Sequence, residues 1–193
     1  MQPAPHVEEM DAAIRADGEG LRLLLDGHED AGRERLREAA VRYRASWELA
    51  PPRSFGRLVG MLKAAVIAGE DEAGAAAYAR EAVGSADSPP SHYVMAMVAL
   101  VEGDDAAAVA AAAGMREGSP AFGRAADAIE AIAAGDAARY AAAVRAIVED
   151  FEGRDEHLTG VPVADTALML ERLAEPRGLA AHPRSTLLPA APL

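Results

Sequence analysis

Apolar residues recur at intervals of three and four along most of this chain, which is the spacing of one face of an α-helix. Between residues 119 and 152 the pattern occurs twice, on either side of Gly135-Asp136. The two apolar runs are Phe122, Ala126, Ile129 and Ala133, and then Tyr140, Val144, Ile147 and Phe151. Glycine can end a helix in the left-handed conformation, and aspartate can cap the helix that follows. The segment is therefore predicted to be a helical hairpin.

The same arrangement occurs twice more towards the N-terminus. A glycine followed by acidic residues separates two apolar-periodic segments at Gly69 and at Gly103, so that the three glycines lie 34 and 32 residues apart. In period and in hinge these units resemble tetratricopeptide-type helical hairpins, although most of the large consensus residues of that repeat are absent. The fold class predicted is all-α: an array of antiparallel helical hairpins, either a TPR-like α-solenoid or an irregular helical bundle.

One helical domain is expected over residues 1–193. Its predicted parts are leading helices over 7–50, three hairpins over 54–152, an apolar closing helix over 161–176 and an extended tail over 177–193. Gly18-Glu-Gly20 is expected to break or kink the first leading helix, because glycine lowers helix propensity. The alanine-rich helix after Gly103 is expected to pack inside the array, since small side chains let helix axes approach closely.

Charge and composition narrow the possible functions. The net charge of −12 argues against a nucleic-acid-binding or anionic-lipid-binding protein, because both ligands need a positive surface. There is no cysteine, and therefore no disulfide framework, thiol nucleophile or zinc-thiolate site. Acidic residues occupy the N-terminal segment where a signal peptide would be basic, and no apolar run is long enough to span a bilayer. A cytoplasmic protein without cofactors is expected.

The polar residues around the end of the third hairpin form the richest candidate site. They are Glu149, Asp150, Glu152, Asp155, Glu156, His157 and Asp165. No pair of histidines at helical spacing, no HExxH motif and no calcium loop accompanies them, so a metal site is not expected. Asp165 begins the most apolar helix, where it is interpreted either as a partner of the helix N-terminal amides or as a partly buried acid with a raised pKa.

The C-terminal section also resembles a known family. The residues that carry the resemblance are Phe151, Ala167-Leu168, Leu173-Ala174, Gly178, Ser185 and Leu188-Pro189. Their order is similar to the tail of one family of polymorphic-toxin immunity proteins, the immunity protein 49 type, which is all-helical and common in actinobacteria. The chain differs from that family after Phe151, where Glu-Gly-Arg stands in place of a second aromatic residue.

This resemblance implies a protein that binds and neutralises a cognate toxin without catalysis. An acidic protein would use its charge to associate rapidly with a basic toxin. The residues expected to contact it are the acids Asp150, Glu152, Asp155 and Glu156. Two alternatives remain: a scaffold that holds a peptide in its concave face, and a metabolic enzyme or accessory factor that uses Asp165 with His157 or Tyr140.

Overall fold

The computed structural model describes residues 3–191, and within that range the chain is all-α with no strand. Helices account for 71% of it and pack as adjacent pairs, so the predicted all-α array is confirmed. The helices are α1 (Pro5–Leu25), α2 (Glu29–Leu49), α3 (Gly56–Ala68), α4 (Glu72–Val83), α5 (Pro89–Glu102), α6 (Asp105–Met115), α7 (Pro120–Ala133), α8 (Ala137–Glu152) and α9 (Asp165–Ala174), followed by a 3₁₀ turn at Glu175–Arg177.

The three hinge glycines all lie between helices, as predicted. Gly69, Gly103 and Gly135 have φ values of 71°, 76° and 66°, a left-handed conformation that residues with a Cβ rarely adopt. After two of them the next helix is capped by an aspartate: the Asp104 side chain accepts from the amide of Ala107, and Asp136 accepts from the amide of Arg139. These local signals end α3, α5 and α7 and begin α6 and α8.

The prediction that Gly18-Glu-Gly20 breaks the first helix is wrong, because α1 is continuous through these residues. The two glycines instead allow close packing. A Cβ on Gly20 would lie 2.8 Å from the Leu36 side chain and 3.0 Å from the carbonyl oxygen of Gly32, both on α2. A Cβ on Gly18 would lie 2.8 Å from the carbonyl oxygen of Thr159, in the loop before α9. The interhelical contact outweighs the low helix propensity of glycine.

The prediction that the alanine-rich helix packs inside the array is also wrong. This helix, α6, buries Ala108, Ala111, Ala112 and Met115 but exposes its opposite face. The inner helix of that pair is α5, which contacts both α3 and α7 and buries almost every residue from Ser91 to Leu100. Its larger apolar side chains fill the space between its neighbours, and α6 packs with only one face buried.

The closing helix is present but begins at Asp165, four residues later than its predicted segment, because the preceding backbone pairs with the tail. The amide of Ala164 donates to the Leu187 carbonyl at 3.0 Å. The 3₁₀ turn at Glu175–Arg177 ends at the first residue of the predicted extended tail, and residues 178–191 contain no helix or strand. Leu188 of this segment is buried in the core. The last two positions of the predicted tail lie outside the described residues.

Helix α9 packs against α3, α7 and α8. Seven of its ten residues are buried: Thr166, Ala167, Leu168, Met169, Leu170, Leu173 and Ala174. This placement brings the N-terminal end of α9 against Lys63 of α3.

Candidate functional site

A buried ion pair fixes the start of α9 to α3. The Lys63 ammonium donates to Asp165 Oδ2 at 3.1 Å and to Thr166 Oγ1 at 2.7 Å. Only 16% of the Lys63 side chain and 25% of the Asp165 side chain are exposed to solvent. Water screens such a pair only weakly. The pair joins two helices, and its two residues lie 102 positions apart in the sequence.

This geometry contradicts one of the two interpretations of Asp165, that of a partner of the helix N-terminal amides. The N-cap of α9 is Ala164, and no side chain makes a capping hydrogen bond there. The carboxylate of Asp165 contacts Lys63 and the Thr166 hydroxyl instead of the helix amides. Asp165 is therefore an ion-pair partner in the first turn of α9.

A second acid, Asp17 on α1, interacts with this cluster. Its side chain accepts a hydrogen bond from the Tyr43 hydroxyl at 3.0 Å, and only 8% of the residue is exposed. Burial, and next the negative charge of Asp165, raise the pKa of Asp17 to about 7, against the opposing effects of Tyr43 and Lys63. Asp17 is therefore partly protonated near neutral pH.

Lys63 keeps its proton in this environment. Burial by itself disfavours the ammonium, but the charges of Asp165 and Asp17 and the Tyr93 phenol outweigh it, so the pKa of Lys63 is raised. A lysine that acts as a nucleophile or base needs the opposite shift. The chemistry available to Lys63 is hydrogen-bond donation and charge pairing.

A cavity of about 220 Å³ opens beside the ion pair. Its walls come from α3, α5, α7, the end of α8 and the loop before α9. The lining residues are mostly apolar and include Phe122, Ala125, Phe151, Leu158, Val161 and Val163. Lys63, Asp165 and Thr166 form its polar side, and Arg154 and His157 also line it. A concave apolar site with a few convergent polar groups is the usual form of a small-molecule site.

Two buried polar atoms of cavity residues have no hydrogen-bond partner among residues 3–191. They are the Tyr93 hydroxyl and Nδ1 of His157. Burial is the largest cause of a raised pKa at Tyr93, which therefore stays a neutral phenol. The His157 ring lies against Phe151, with 6.1 Å between ring centroids. Asp165 and His157 thus line one cavity, as the enzyme alternative supposed.

Tyr140, the other residue of that alternative, is not among the residues that line this cavity. Its hydroxyl donates to Glu171 Oε1 at 2.6 Å on another face of α9. Glu171 also accepts from the amides of Ala181 and His182, at 3.1 and 2.6 Å. This group of hydrogen bonds holds the C-terminal segment on α9. It borders a second cavity of about 450 Å³ between α9 and residues 182–191.

The four acids predicted to bind a partner occupy different environments. Asp150 is paired with Arg124 and, at 2.6 Å, with Arg154. Glu152 is exposed and accepts from the Ser185 hydroxyl at 2.7 Å. Asp155 and Glu156 are exposed in the loop after α8, and neither makes an ion pair within the described chain. Only part of the predicted set therefore presents charge to solvent.

An exposed leucine follows these acids. Leu158 is 77% exposed, the highest value among the large apolar side chains exposed in residues 3–191. It also lines the cavity beside Lys63, so it stands at the mouth of that cavity. Sequence reasoning did not select Leu158, because a single leucine in a polar loop has no periodic pattern around it.

Sequence reasoning also placed none of Lys63, Asp17 and Tyr43 in a candidate site. One signal was available: Lys63 is the only lysine and lies within the apolar run of α3, where a charge must find a partner. Nothing in the local sequence indicates which partner, because Asp17 and Asp165 lie in distant segments.

Neither a metal site, nor a membrane-spanning helix, nor a related protein assigns a function to the described residues. No group of three or more possible metal ligands is found in the part of the chain that the structure describes. No helix within residues 3–191 is both long and apolar enough to cross a membrane. Comparison with protein families, with curated proteins and with solved structures found no match to this chain.

Proposed function

We propose that this protein binds another protein through the loop that joins α8 to α9, and that the partner is basic. The observation that carries the proposal is Leu158, an exposed apolar side chain with charged residues around it. Protein interfaces commonly have this arrangement, in which a few apolar anchors supply most of the affinity inside a polar rim. Glu152, Asp155 and Glu156 supply the acidic rim here.

Charge supports the choice of a basic partner. The chain carries a net charge of −12, which attracts a positive protein over distances longer than direct contact. Asp150 contributes little to this attraction because Arg124 and Arg154 neutralise it. We assign Asp150 to holding the end of α8, and the steering of the partner to the other three acids.

In its most specific form, the proposal is that this protein binds and neutralises a toxin. The resemblance to polymorphic-toxin immunity proteins rests on residues on both sides of this loop, from Phe151 to Leu188-Pro189. A toxin that is bound and neutralised there would need no catalytic group on this chain. The peptide-scaffold alternative has less support, because α9 already covers the faces of α3 and α7 that such a groove would use.

The test begins with affinity capture from the native host, followed by binding kinetics with the captured protein. The triple variant E152Q/D155N/E156Q should lower the association rate by about tenfold at low salt and less at high salt, because steering is screened. Leu158→Ala should act on dissociation, at a cost of about 1–2 kcal/mol.

A matched control removes the same charge elsewhere. Asp26, Glu81 and Glu117 are exposed, and none is in an ion pair within residues 3–191. The control D26N/E81Q/E117Q should change the association rate much less than the loop triple. A captured partner that is acidic, or equal effects of the two triples, would count against the proposal.

A further inference from the structure

The cavity beside the Lys63–Asp165 pair shares only Leu158, at its mouth, with the protein-binding proposal. We propose that it is a binding site for a small uncharged molecule with an apolar body and one hydrogen-bond acceptor oxygen, such as a phenol or an aromatic alcohol. Three features support this: the size of the cavity, its apolar lining and the Lys63 N–H donor that has no partner within residues 3–191.

Size and lining define the body of the ligand. A volume of 220 Å³ corresponds to about seven water molecules at their liquid volume, which suits one aromatic ring with a small substituent. Phe122, Phe151 and Val163 supply apolar surface, and flat rings favour offset or edge contacts with another ring. An aromatic or branched aliphatic body would fit these walls.

The Lys63 ammonium defines the polar group of the ligand. It carries three N–H donors, and the hydrogen bonds to Asp165 and Thr166 use two of them. The third has no partner among the described residues. A donor in a partly dry cavity gains from an acceptor oxygen, and the ligand can supply one.

The charges around the cavity favour a neutral ligand. Lys63 and Asp165 form a neutral pair, so an anionic ligand would face Asp165 and a cationic ligand would face Lys63. The remaining charge on the lining, Arg154, is already paired with Asp150 and lies over the Phe151 ring at 3.7 Å. Burying an uncompensated charge here would cost more than the contacts return.

The experiment is an NMR titration of the whole protein with four probes: phenol, toluene, benzoate and benzylamine. Phenol should bind saturably in the millimolar range or tighter and shift the resonances of Lys63, Thr166 and Val163. It should bind about fivefold more tightly than toluene, the effect of one hydrogen bond. Benzoate and benzylamine should bind more weakly than phenol.

Two sets of variants show whether the shifts come from this cavity. Ala121 is exposed at the rim, so Ala121→Trp should block entry without disturbing the core, whereas Ala110→Trp on the exposed face of α6 should leave binding unchanged. The double variant K63M/D165A keeps the cavity neutral and removes the Lys63 donor without adding another, because alanine has no polar side-chain atom. It should retain toluene binding and lose the preference for phenol.

The proposal fails on any of four results: no saturable phenol binding, a charged probe that binds as tightly as phenol, binding unaffected by A121W, or a phenol preference that survives in K63M/D165A. None of these results depends on a protein partner. Failure here therefore leaves the protein-binding proposal untouched, and the reverse also holds.

Discussion

Asp17 is a buried acid whose charge state should change with pH near neutrality. The side chain is buried on α1, accepts from the Tyr43 hydroxyl and lies within the electrostatic influence of Lys63 and Asp165. Its pKa is raised from 3.8 to about 7, which means that the folded protein holds a proton there after the unfolded chain has lost it. By linkage, the free energy of unfolding falls as the pH rises between these two values.

Replacing Asp17 tests this directly. The difference between the two pKa values corresponds to about 4 kcal/mol, present below pH 4 and lost by the time the pH has passed 7. Asp17→Asn cannot titrate and can still accept from Tyr43, so much of the fall in stability between pH 4 and pH 8 should disappear. Urea unfolding at several pH values measures it.

The exposed residue Asp155 provides the control for that series. Asp155→Asn should leave the dependence of stability on pH almost unchanged, because this carboxylate is solvated and makes no ion pair within residues 3–191. If the Asp17→Asn variant keeps the full decline in stability, the buried acid is not its source.

At the scale of helices, the pairing of α1 with α2 depends on glycines that a sequence pattern treats as breakers. A Cβ added to Gly20 would contact Leu36 and the backbone of Gly32. A Cβ added to Gly123, inside α7, would have no neighbouring atom within 4 Å. Both glycines lie in helices, so their intrinsic helix propensities are alike and only the surroundings differ.

This contrast gives opposite expectations for the same substitution. Gly123→Ala should stabilise the protein by about 0.5–1 kcal/mol through helix propensity. Gly20→Ala should destabilise it by about 1–3 kcal/mol, because the added methyl forces α1 and α2 apart. Thermal or urea unfolding of both variants measures the difference. Equal effects would mean that α1 and α2 do not approach as closely as described.

At the scale of the whole molecule, α9 and the loop before it connect the two ends of the chain. Lys63 on α3 holds Asp165, and Gly18 on α1 packs against Thr159 in that loop. Leu170, at the centre of α9, is 0% exposed and belongs to the same hydrophobic core as Leu21 and Leu36. The helix pairs should therefore unfold as one cooperative unit, unlike a repeat array in which units interact only with their neighbours.

Trp47 allows a test of this cooperativity. It is the only tryptophan, it lies on α2, and its ring stacks on Phe55. Leu170→Ala should lower the free energy of unfolding by about 2–5 kcal/mol. The loss should be the same by Trp47 fluorescence as by far-ultraviolet circular dichroism. A fluorescence transition that stays at its wild-type midpoint would show that the N-terminal helices unfold independently.

The sequence by itself determined the helices and most of their ends. Gly69, Gly103 and Gly135 needed only local information, because a left-handed glycine and an aspartate cap act within a few residues of backbone. The acidic loop with Asp155 and Glu156 could likewise be located from the sequence, and its role in binding stays a prediction.

Tertiary structure alone decided what Gly20 packs against, which side of α6 is exposed, and that Lys63 pairs with Asp165 within the electrostatic influence of Asp17. Each of these depends on contacts between segments far apart in the chain. The periodicity of one helix shows which of its faces is apolar, but the identity of the neighbour that covers this face depends on how all the helices pack together.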